Sequence, residues 1–222
     1  MGPGEFAPDA PGAAGELLVP SAGLLRQAYS LALVDDGYLS RASSAWFTSH
    51  AGGIPAGFRP AEAAPTTKVH TIGNHTVAVV FFPEIPVGLA APEPLQVRKT
   101  VEEGLRAQRS HALVIGVSPW GALAERQHLQ ELGSAFDILL GGGPGVPLEG
   151  SVDATASGLF WSRADIRGRS LNLMELGVWP SRAQPHNWLV GLNITVRQVV
   201  LNEAVPSDDA VKAVTDGIPD TR

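Results

Sequence analysis

Apolar positions recur along this chain at two periods. Leu24, Leu25, Ala28, Leu31 and Ala32 follow Ser21 at helical spacing, which predicts a capped helix from Ser21 to about Ala32. Val97, Val101 and Leu105, with charged residues between them, predict an amphipathic helix over roughly 94–109. β-Branched runs flank Gly73-Asn74, Lys68 to Ile72 on one side and Thr76 to Phe82 on the other, which is the pattern of a β-hairpin. The stretches from His111 to Val117 and from Phe136 to Leu140 are continuous apolar runs, as strands buried on both faces should be. A helix from about Gly121 to Leu132 lies between them, and this β-α-β order implies parallel pairing. Residues 40–65 are rich in Ser, Gly, Pro and Ala and predict a helical turn followed by a long loop. Leu159 to Asp165 and Ser170 to Leu176 read as an antiparallel hairpin around Arg167-Gly168-Arg169. Trp188 to Leu201 is a further strand region, and Asp208-Asp209 caps a last helix at about 208–216. The pattern as a whole predicts an α/β fold with two packed mixed β-sheets flanked by helices.

Composition narrows the function classes. Charged residues are 17% and hydrophobic residues 44%, so the chain is a packed globule rather than a disordered tail. The net charge of −6 argues against a nucleic-acid polymer as partner, which would need a basic face. Cysteine is absent, which removes thiolate metal sites and a Cys nucleophile. No apolar run reaches the length of a membrane-spanning helix. Residues 1–12 read as a cloning scar and flexible linker, Met1-Gly2-Pro3-Gly4-Glu5-Phe6 followed by an Ala/Pro/Gly stretch, and leave 13–222 as the folded domain.

In an open α/β sheet, ligands bind beyond the carboxyl ends of the strands. Two such ends are legible, Ser118-Pro119-Trp120-Gly121 and Gly141-Gly142-Gly143-Pro144-Gly145. Ser118, Trp120, Gly141, Gly142 and Gly143 are therefore the expected ligand-binding residues. The glycine run could cradle a phosphate with its backbone N–H groups, though it lacks the Lys-Ser/Thr of a P-loop. Gly116-Val117-Ser118-Pro119-Trp120 begins like a nucleophile elbow but ends in Trp where that motif has Gly. The six histidines show no H-x-x-x-H or H-x-H spacing, so no metal site is expected from spacing. His70 and His75 flank the hairpin turn and could share a face. Asp35-Asp36 could ligate a hard cation, although Asp before Gly37 is also ordinary turn chemistry.

Taken together, these stretches resemble the metallophosphoesterase domain of bacterial exported 5′-nucleotidases, the UshA-like group, from about Gly15 to Gly217. Gly15-Glu16-Leu17-Leu18 is similar to the family's Gly-Asp-hydrophobic block. His70 to Val80 is similar to the hairpin before the family's long crossover. His111 to Ser118 resembles the strand leading to its Ser-His-x-Gly motif, and Phe136 to Gly142 the strand leading to its Gly-Gly-His-x-His motif. The resemblance implies a four-layer sandwich, with an active member using two metal ions to activate water against a phosphate ester. It also implies a periplasmic or extracellular location, the export signal lying outside this sequence. Against that pattern, Glu16 falls where the family has Asp, Pro119 takes the place of the Ser-His-x-Gly histidine, and Gly143 and Gly145 take the places of the Gly-Gly-His-x-His pair. Gly73-Asn74-His75 mimics a family triplet in the wrong segment. Proline and glycine side chains cannot coordinate a metal, so the expectation is a catalytically degenerate domain with no catalytic residues and no cofactor, serving as a binding or scaffolding module for a protein or small-molecule partner. The alternative is an active hydrolase holding a divalent pair such as manganese or zinc in a rearranged site built from Asp35, Asp36, His50, His70 and His75.

Overall fold

The computed structural model describes residues 19–31, 37–153, 158–163, 170–182, 186–201 and 207–218. Two compact units divide the chain, one of residues 62–201 and one of residues 1–61 with 202–222.

The larger unit is built on a six-stranded sheet. Its strands are β3 (Thr66–Ile72), β4 (His75–Phe81), β5 (Leu113–Ser118), β6 (Ile138–Gly141), β7 (Leu148–Asp153) and β8 (Leu159–Arg163). Their order is β3-β4-β5-β6-β8-β7, with β4, β5, β6 and β8 parallel and the two edge strands antiparallel. The hairpin turns at Gly73-Asn74 as expected; Gly73 takes φ +59, a left-handed conformation that glycine adopts at little cost. One face of this sheet carries Val80, Val114, Leu139 and Trp161 and packs under helices α3 (Pro94–Gln108), α4 (Ala122–Gln127) and α5 (Leu129–Gly133). Gly116 lies in this face because a Cβ there would stand 2.8 Å from the Phe82 ring and 3.2 Å from Phe136. The other face carries Val77, Leu113, Ile138 and Phe160 and packs against a second sheet, the antiparallel pair β9 (Ser170–Leu176) and β10 (Ile194–Val200). Met174, Leu176, Ile194 and Val196 supply that sheet's inner face. The Asn172 side-chain amide also bridges the sheets, donating to Arg163 O at 3.0 Å and Leu148 O at 3.1 Å. The fold is thus α/β, with two sheets packed face to face and helices over the outer face of the larger one.

The smaller unit pairs two short parallel strands, β1 (Gly37–Leu39) and β2 (Phe58–Pro60), beside helices α1 (Ala22–Leu31) and α2 (Arg41–Ala51). Leu39, Phe47 and Phe58 are buried together, with Tyr29 edge-on to both rings at 6.2 and 5.9 Å. A terminal helix, α6 (Asp209–Thr215), packs on α1, and the Asp208 carboxylate caps it by accepting from the Ala210 and Val211 amides.

Three expectations are corrected. Residues 41–51 form a full helix, not a single turn before a loop. Ser40 caps it by accepting from the Ser43 amide at 2.9 Å, and Ser43, Ser44 and Phe47 bury one face at i, i+1 and i+4. The helix expected over 121–132 is broken at His128 into α4 and α5. Residues 159–163 and 170–176 are not a hairpin: β8 belongs to the large sheet and β9 to the small one, while the turn proposed at 167–169 lies outside the described residues.

Candidate functional site

The four parallel strands end at one edge of the large sheet. Ser118, Gly141 and Arg163 form a row there, Ser118 paired with Gly141 and Gly141 with Arg163. Among the described residues, three connections leave this edge and are tied to one another by hydrogen bonds. The Trp120 indole N–H donates to Pro83 O at 2.7 Å, joining the β4–α3 loop to the β5–α4 turn. Gly142 N donates to Ser118 O at 2.7 Å, and Ala122 N donates to Pro144 O at 2.9 Å, joining that turn to the β6–β7 loop.

At the centre stands Arg163, a residue the sequence reading passed over. Its guanidinium is almost wholly buried and faces the buried carboxylate of Glu125 on α4, with Nη1 donating to Glu125 Oε2. Nη2 donates to the carbonyls of Gly142, Gly143 and Pro144 at 2.9, 3.1 and 3.2 Å, and Nε donates to Val146 O at 3.2 Å. Glu125 Oε2 also accepts from the Trp161 indole N–H at 3.0 Å, while Oε1 is buried with no hydrogen-bond partner among the described residues. An arginine fork suits this place because its donors spread in a plane and match several acceptors at once. The clue in the sequence was a charge ending the strand Leu159-Phe160-Trp161-Ser162, with Glu125 directly after Ala122-Leu123-Ala124 in an earlier helix.

Of the expected ligand residues, Ser118, Trp120 and Gly141 are buried, and Gly142 and Gly143 are half-buried. Ser118 is buried and its hydroxyl accepts from Trp120 N at 3.1 Å. Trp120 is 2% exposed and lies in the core beside Phe82. A Cβ on Gly141 would overlap the Glu125 carboxylate. Gly142 and Gly143 direct carbonyls, not N–H groups, toward the charge at the centre. The loop carbonyls are thus taken up by the Arg163 guanidinium, a polarity opposite to that of a phosphate cradle. Gly143 has φ +67 and a Cβ there would overlap Pro119 O; one on Gly145 would overlap the Ala122 side chain. A histidine side chain has no room at either position in this backbone.

Of the residues named for the alternative site, His50 lies in one unit and His70 and His75 in the other. Asp35 and Asp36 lie outside the described residues. His50 is on α2 in the smaller unit, its ring nitrogen Nδ1 2.9 Å from Trp46 O. His70 and His75 do share a face of the β3–β4 hairpin, at the end opposite Arg163, but the His75 ring stacks on Trp179 at 4.5 Å. Among the described residues no three His, Asp or Glu side chains are placed to hold a metal ion. No described helix is long and apolar enough to cross a membrane.

Three large apolar side chains near this edge are exposed. Val87 in the β4–α3 loop, Leu123 in the first turn of α4 and Val146 in the β6–β7 loop are each more than 70% exposed.

No protein-family profile and no curated protein matches the chain. Among solved structures it is similar to a protein from Staphylococcus aureus assigned as a 5′-nucleotidase and crystallised with α-ketoglutarate. The TM-score is 0.58 at 12% sequence identity. The match covers 96% of this chain and 48% of that one, so the chain spans about half the length of the solved protein. At that identity the likeness is one of fold: the chain has a 5′-nucleotidase-like fold.

Proposed function

We propose that this chain is a non-catalytic relative of the exported bacterial 5′-nucleotidases, and that it works as a binding module through the carboxyl edge of its large sheet. One observation carries the reading: a guanidinium occupies the carbonyl-lined centre of that edge, already neutralised by a carboxylate. A divalent ion would find that place filled by the guanidinium, with proline and glycine where imidazoles are needed. The role left to the edge is recognition. Its loops are cross-linked at the backbone and so lose little freedom on binding, and Val87, Leu123 and Val146 offer a protein partner an apolar contact.

Titration calorimetry of the chain with manganese, zinc and a nucleoside monophosphate, beside a phosphate-release assay, tests the loss of catalysis. The expected result is no saturable heat from either metal and no phosphate released above a metal-only control. Tight metal binding accompanied by turnover would overturn the proposal.

A further inference from the structure

The outer face of the β9–β10 sheet is a second surface with its own logic. Alternation along β9 sends Ser170, Asn172, Met174 and Leu176 inward and leaves Leu171, Leu173 and Glu175 outward. The register pairs these with Val199, Arg197 and Thr195 on β10. Leu171 and Leu173 are 58% and 44% exposed. The face thus holds an apolar half, one base and one acid. The two charges stand on different strands, two residues apart in register, with Leu173 opposite Arg197 and next outward residue to Glu175. Neither Glu175 nor Arg197 has an ion-pair partner among the described residues.

We infer that this face is a self-association surface whose occupant is a second copy of the chain. The argument is charge complementarity under symmetry. In a two-fold contact every group meets the other copy's complement twice. A two-fold axis parallel to the sheet, lying just beyond its outer face and passing between Arg197 and Glu175, sets each arginine against the other copy's glutamate. The same operation brings Leu173 of each copy close to the axis, where it is buried. The face is neutral in a chain of net charge −6, so two copies can approach here without the repulsion they meet elsewhere. A partner of strongly acidic or basic character would leave one of the two charges unpaired. The inference is independent of the binding role assigned to the sheet's carboxyl edge.

Sedimentation velocity of the full chain over a concentration series into the high-micromolar range reads the association directly. A reversible monomer–dimer equilibrium is expected. Arg197→Glu and Glu175→Arg each place like charges together at two symmetric points and should weaken the dimer by at least about ten-fold. Combining them restores opposite charges and should return the dissociation constant to near its starting value. Hydrogen exchange gives a second readout that does not depend on the variants: amides of β9 and β10 should become slower to exchange as concentration rises. A chain that stays monomeric throughout overturns the inference and leaves the face to a partner of another kind. So does a dimer indifferent to both reversals, or one that the combined variant fails to restore.

Discussion

Replacing Arg163 with methionine removes the guanidinium while keeping most of the side chain's volume. Glu125 is then left buried without its counter-charge, and four loop carbonyls lose their donor. Breaking one partner of a buried ion pair costs about 3–5 kcal/mol, because the remaining charge has neither water nor a mate. That is a large share of the roughly 5–15 kcal/mol by which domains are stable. For a chain of this length the thermal midpoint should fall by roughly 6–20 °C, at about 2–4 °C per kcal/mol. Urea denaturation followed by tryptophan fluorescence is the natural assay, since Trp161 donates to the same carboxylate. Adding Glu125→Leu removes both charges and should recover the part of the loss that comes from the stranded carboxylate. It leaves the Trp161 N–H without an acceptor and the four loop carbonyls still without their donor, so a residual cost of at least about 1 kcal/mol is expected. If Arg163→Met alone costs less than about 1 kcal/mol, the value typical of a solvent-exposed pair, the reasoning about this site is wrong.

Two further outcomes follow from the same packing. Gly143→His forces a branched backbone position into φ +67 and against Pro119 O; it should lower stability by at least about 2 kcal/mol in denaturant titration and give no gain in manganese or zinc binding by calorimetry. Phe160→Ala empties the seam between the two sheets, where Phe160 is fully buried, and should cost about 3–5 kcal/mol in the same titration.

What the sequence made legible were features settled by neighbours along the chain. The β3–β4 hairpin is specified by Gly73-Asn74 between β-branched runs. Helix α3 starts at Pro94 behind a capping box of Glu93 and Gln96, and the parallel β5–β6 pair follows from apolar runs with a helix between. What escaped depended on distant partners. Alternation in Ser170 to Leu176 identifies a strand but not its sheet, and β9 pairs with a strand some twenty residues later instead of with β8. Strand β7 was missed because Gly150 interrupts its apolar face; a Cβ there would overlap the Phe160 ring. The helix Arg41–Ala51 was hidden by its serines, two of which are buried. At the candidate site, the glycine loop and its place at the strand ends were readable, yet its polarity was not. Whether a glycine turn offers N–H groups or carbonyls depends on what stands opposite, and Arg163 reaches it from a strand eighteen or more residues away in sequence.

The carbonyl nest around Arg163 also closes a route for evolution. A histidine introduced alone at position 143 or 145 collides with backbone or side chain before it can meet an ion, and removing the arginine alone strands an acid in the interior. Each such single substitution lowers stability, so position 143, position 145 and Arg163 are bound to change together or not at all.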